Sequence, residues 1–99
     1  MNVMMFRATV KPEHRGELEG AVTTMFAAIN VEQPVGVKYA SSRLGDSETY
    51  VILLALTHPP ENPLTAIPEF RAFQDKIRGW LAEPTVPEPL TVIGSYNLF

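Results

Sequence analysis

Thr49-Tyr50-Val51-Ile52-Leu53-Leu54-Ala55-Leu56-Thr57 holds no charged side chain and does not alternate between apolar and polar residues. The run is too short for an independent helix and rich in β-favouring residues, so it reads as a strand covered on both faces. Leu44-Gly45-Asp46-Ser47, just before it, is a cluster of turn-forming residues. Upstream of that turn, Val35, Val37 and Tyr39 alternate with Gly36, Lys38 and Ala40, the two-residue period of a strand with unequal faces. The two strands and their turn predict a β-hairpin. Downstream, His58-Pro59-Pro60-Glu61-Asn62-Pro63 is too rich in proline for a regular element and predicts a loop.

The outer thirds of the chain follow from the same rules. Met1 to Val10 is nearly all apolar or β-favouring, broken by Asn2 and Arg7, and predicts a second buried strand. Lys11-Pro12-Glu13 then opens a helix: proline tolerates the first turn, and a carboxylate suits the positive end of the dipole. Leu18, Val22, Met25, Phe26 and Ile29 form one apolar stripe, predicting a helix over 12–30. Gly16 and Gly20 weaken its propensity, so packing must hold it. A second helix is expected from about Ala66–Pro68, with Phe70, Phe73, Ile77 and Trp80 or Leu81 turned inward and Arg71, Asp75, Lys76 and Arg78 outward. Pro84, Pro87 and Pro89 predict an irregular connector, and Leu90–Phe99 a closing strand.

Strand, helix, strand, strand, helix, strand is the order of a ferredoxin-like βαββαβ α+β fold. Its antiparallel four-stranded sheet carries two helices on one face. That topology places the first and third strands at the centre, and these are the two with near-continuous apolar runs. Large apolar groups lie on both faces of each: Val3 and Met5 against Met4 and Phe6, Val51 and Leu53 against Ile52 and Leu54. Helices cover one face only, so the other needs a partner. A second copy of the same sheet is the simplest one, predicting a homodimer through the sheet face.

The bulk properties agree with one small domain spanning 1–99. A chain of this size buries only roughly 60–65% of its unfolded surface, which leaves stability marginal without extra support. Cysteine is absent and the two histidines, His14 and His58, are far apart in sequence, so no disulfide or structural metal site is expected. A net charge of −3, with eight scattered basic residues, argues against a nucleic-acid partner. No segment approaches the length of a bilayer span, and Met1–Arg7 lacks the pattern of a signal peptide. A cytoplasmic protein with no membrane partner is therefore the expectation. Isolated glycines and the lack of a Gly-x-Ser-x-Gly elbow exclude a phosphate loop and the α/β-hydrolase nucleophile. An RNA-recognition sheet needs surface aromatics with basic residues on its central strands, whereas here those strands are apolar and the protein is acidic.

With this order of elements, the chain resembles the dimeric α+β barrel superfamily, and within it the antibiotic-biosynthesis-monooxygenase-like (ABM) domains. Besides the length, the resemblance rests on Lys11-Pro12-Glu13, on Tyr39-Ala40-Ser41-Ser42 leading into the hairpin, and on Phe70-Arg71-Ala72-Phe73. It implies a dimer binding a small, flat, apolar or aromatic molecule, with no cofactor. The enzymes of that family oxidise phenols or quinols with O₂, or degrade haem. The haem-degrading relatives use an Asn on the first strand and a Trp and a His on the second helical segment. This chain has Asn2 and Trp80 there but no His, so that activity is not expected.

Five residues are the candidates. His58, at the end of the third strand, is a candidate general base because imidazole changes charge near neutral pH; the alternative, which weighs more, is a loop histidine bound to backbone or water. Arg7, a permanent charge on a central strand, is a candidate for stabilising a substrate anion, or else an ion-pair partner of a carboxylate such as Glu48 or of a group across the dimer. Tyr39, Trp80 and Asn97 are candidates for substrate binding. Packing accounts for the first two as well, and solvent exposure for Asn97. The alternative to an oxygenase is a non-catalytic dimer that binds a metabolite or another protein.

Overall fold

The computed structural model describes residues 2–99. Met1, expected at the head of the first strand, lies outside them. The elements are β1 (Asn2–Thr9), α1 (Arg15–Glu32), β2 (Val37–Arg43), β3 (Thr49–Leu56), α2 (Pro68–Ile77) and β4 (Pro87–Leu90). Short 3₁₀ turns at Pro12–His14 and Pro63–Ala66 precede the helices. All sheet pairings are antiparallel, in the order β2-β3-β1-β4, so the two apolar strands are central as the sequence predicts.

Register decides what each side chain meets. Met4, Leu54 and Tyr39 lie in one row across the sheet, and Ala8, Tyr50 and Arg43 in another. Alternation puts these even positions of β1 and β3 on the helix side. There Ala8, Val10 and Tyr50 join Leu18 and Met25 of α1 and Phe70 and Phe73 of α2 in a single core. Val3, Met5, Arg7, Val51, Leu53 and Ala55 have the opposite parity and face away from the helices. Among the described residues no helix is long and apolar enough to cross a membrane.

The helices end where local chemistry dictates. Gln33 takes a left-handed conformation (φ 50°) and donates its N–H to the Ile29 carbonyl at 2.9 Å, closing α1 two residues beyond the predicted end. Gly36 has φ 88°, a conformation that glycine adopts without strain, and its carbonyl accepts from Thr57 N–H at 3.0 Å. In the turn before α2, the Asn62 side chain accepts from Leu64 N–H at 3.0 Å and so caps the 3₁₀ segment.

The closing strand is the main correction. Leu90–Phe99 was expected to form it, but the strand is Pro87–Leu90 and the rest of the chain is irregular. Two physical facts account for the difference. Prolines are tolerated on an edge strand when their missing N–H faces outward, so Pro87 and Pro89 do not exclude pairing. The register pairs Leu90 with Val3, so β1, beginning at Asn2, offers almost nothing opposite the residues after Thr91. Ile93, Tyr96 and Leu98 are consequently exposed. The connector also pairs more than expected: Ala82 N–H donates to Thr9 carbonyl at 2.8 Å and Lys11 N–H to Trp80 carbonyl at 2.9 Å. These bonds draw the end of α2 back along β1.

Candidate functional site

A cleft of about 610 Å³ opens between the helix side of the sheet and α2. Its floor is apolar, formed by Phe6, Ile52 and Leu54 from the sheet, Phe70 and Phe73 from α2, and Leu81 beyond it. Strand alternation brings the sheet residues to this side, and the three-to-four spacing of the helix does the same for the two phenylalanines. Around the mouth stand Asn62, Thr65, Arg71, Gln74, Asp75 and Arg78, most of them exposed. Arg71, Asp75 and Arg78 are four and three residues apart and therefore share a helix face.

The mouth is only partly tied down. Arg71 Nη1 donates to the Thr65 carbonyl at 3.0 Å, which pins the 3₁₀ turn to α2. Arg78 Nη1 reaches Asp75 Oδ1 at 3.3 Å, with both side chains about three-quarters exposed. Such exposed pairs contribute about 0–1 kcal/mol and exchange readily. Thus an aromatic-lined slot leads to a rim with two cations and one carboxylate.

Tyr39 also lines this cleft. Its ring stacks on Phe26 at 5.2 Å (10° between planes) and meets Phe70 edge-on at 5.9 Å, geometries favoured by aromatic quadrupoles. Burial pushes its phenol up to about 12, so it is neutral near pH 7. Among the described residues every fully buried side-chain polar atom has a hydrogen-bond partner.

The other candidates from the sequence are dispersed. Arg7 lies on the far face of the sheet, its side chain 64% exposed and 3.7 Å from Glu88 on β4. Its carboxylate partner is Glu88 and not Glu48. His58 is exposed in the loop after β3, where its carbonyl accepts from Glu61 N–H at 2.9 Å. Trp80 sits beyond α2, with its ring 6.2 Å from that of His14, and lines a separate groove between α1 and α2. Asn97 is exposed in the irregular tail, with φ 56°. Of the five, only Tyr39 lines the cleft.

Sequence reasoning missed the rim. Arg71 and Arg78 belong to a helix face that reads as solvated, and nothing in their spacing distinguishes them from surface charge. The Phe70-Arg71-Ala72-Phe73 segment was the one available signal, since it supplies two floor aromatics and a rim cation together.

No family model matches this chain, and no curated protein is similar to it at the sequence level. Solved structures are similar in fold. A Nitrosomonas europaea protein named "Putative antibiotic biosynthesis monooxygenase" superposes with a TM-score of 0.78 at 15% identity, covering 95% of this chain and 100% of its own. A Caulobacter crescentus protein of the same name gives 0.75 at 19% identity, with 94% and 90% covered. Rv0793 from Mycobacterium tuberculosis gives 0.73 at 14% identity, with 95% and 96% covered. This chain has the ferredoxin-like α+β fold that antibiotic biosynthesis monooxygenase domains share.

Proposed function

We propose that this protein is an ABM-like homodimer whose cleft binds a small, flat, largely apolar molecule, and that it oxidises a phenol or quinol with O₂ without a cofactor. The observation that carries the reading is the cleft itself, with a floor rich in aromatic rings and its charged groups at the mouth. In the proposed reaction the bound phenol loses a proton. The electron-rich anion passes one electron to O₂, and the radical pair combines to form a carbon–oxygen bond. At a carbon that keeps a hydrogen, the peroxide anion takes back the proton and then loses water, breaking its O–O bond and leaving a carbonyl. The protein's part is to desolvate and orient the anion.

The dimer completes the proposal. Met5, Val51 and Leu53 form an apolar row on the sheet face that the helices leave uncovered, and a second sheet would cover it.

A non-catalytic binder is the second reading, and one observation favours it. Among the described residues no imidazole lines the cleft, and Tyr39, with its phenol pushed up to about 12, is a poor base near neutral pH. Oxygen uptake with hydroquinones and anthrone-like phenols, set against catalyst-free controls, separates the two. Saturable uptake with a quinone product supports the oxygenase. Saturable binding without uptake favours the carrier, and no binding of any flat aromatic overturns both.

A further inference from the structure

We infer that the ligand carries an acidic oxygen, a carboxylate or phenolate on an aromatic ring, and that Arg78 holds it at the mouth of the cleft. The inference rests on the cleft being a binding site for a flat aromatic molecule, and specifies the charge of that molecule. Two cations, Arg71 and Arg78, stand at the mouth against the single carboxylate of Asp75, in a protein whose overall charge is −3. The local sign is therefore opposite to that of the whole molecule, as expected where an anion is selected.

The two arginines differ in freedom. Arg71 is occupied in holding the turn before α2 through Thr65. Arg78 is bound only to Asp75, through one exposed contact at 3.3 Å, and a guanidinium has further N–H donors in a planar fork that fits a carboxylate. Asp75 thus occupies the position a ligand oxyanion would take, and the floor keeps the ring of such a ligand out of water. Arg78 stands at the C-terminal end of α2, where free carbonyls would repel an anion. Those of Lys76 and Ile77 are already taken, by Gly79 N–H and by Trp80 and Leu81 N–H. Burial of the aromatic part next to the pair also lowers the local dielectric, which strengthens a charge-assisted bond.

Calorimetric titration of the full chain with 2-naphthoate and with 2-naphthalenemethanol tests this, because the two share a ring system and differ in charge. Naphthoate is expected to bind about tenfold more tightly, with an advantage that shrinks as salt is raised. Arg78→Gln should remove most of that advantage and leave the alcohol unchanged. Asp75→Asn, which removes the competing carboxylate, should strengthen naphthoate binding a few-fold. 4-Nitrophenol distinguishes the two oxyanions, since capture of the phenolate raises its visible absorbance at fixed pH. Equal affinity for both naphthyl probes, or equal losses for both in Arg78→Gln, overturns the inference while leaving the cleft a binding site. Failure of both probes to bind overturns the cleft reading and the inference with it.

Discussion

The Tyr50 hydroxyl donates to Glu19 Oε2 at 2.6 Å, and this bond fastens the N-terminal part of α1 to β3. The same oxygen accepts from Arg43 Nη1 at 2.7 Å, and Arg15 Nε approaches it at 3.7 Å from one turn earlier on the helix. Arg43 and Tyr50 are opposite one another across β2 and β3, so the sheet delivers both donors to one carboxylate. This anchor fixes the layer spacing at the sheet end away from Tyr39. It also matters because Gly16 and Gly20 leave α1 with little intrinsic preference for the helix.

The anchor predicts an acid-sensitive part of the stability. The Tyr50 hydrogen bond, then Arg43, holds the Glu19 carboxyl below its usual range, so the folded protein binds that proton more weakly than the unfolded chain. The stabilisation is therefore present above the unfolded value of about 4.5 and disappears as pH falls through the lower folded value. Urea midpoints of the parent and Glu19→Gln should differ at pH 7 and converge towards pH 3. A gap that is constant across this range would show that the carboxylate contributes nothing.

Tyr39 gives the corresponding prediction on the alkaline side. Burial raises its phenol from 10 to about 12, so the folded state resists ionisation that the unfolded chain accepts. Stability from this source is complete below pH 10 and declines as pH climbs towards 12. Tyrosinate absorbance at 295 nm should show a late-titrating component near pH 12 that is absent from Tyr39→Phe. Indistinguishable titrations would place the Tyr39 ring in contact with solvent.

Leu53 tests the dimer directly. It lies on the face away from the helices, half-buried, in a row with Met5 and Ala40. The parent chain should sediment at twice the 11.0 kDa subunit mass, and Leu53→Arg should sediment as a monomer with an unchanged far-ultraviolet spectrum. A guanidinium shut between two sheets is desolvated without a partner, whereas on a free monomer surface it would cost little. A parent chain that sediments as a monomer would refute the dimer.

Much of the fold was legible along the chain because it depends on local pattern. Val51–Leu56 and Val3–Phe6 carry apolar groups at both parities, which only central strands can bury, and the element order then allows few topologies. The closing strand was misplaced because proline was read as a breaker on propensity alone. An edge position removes that penalty, and edge position is a property of the sheet.

The site was far less legible. The sequence by itself determined the element order, the two central strands and the helical stripes, since each follows from short-range periodicity. Only the tertiary structure decided which parity of each strand meets the helices, and that one choice sent Tyr39 to the cleft and Arg7 to the opposite face. It also decided that Arg71, Asp75 and Arg78 would ring an aromatic slot. A side chain's period of two says that neighbours diverge; which of them is buried depends on the packing of elements distant in the chain.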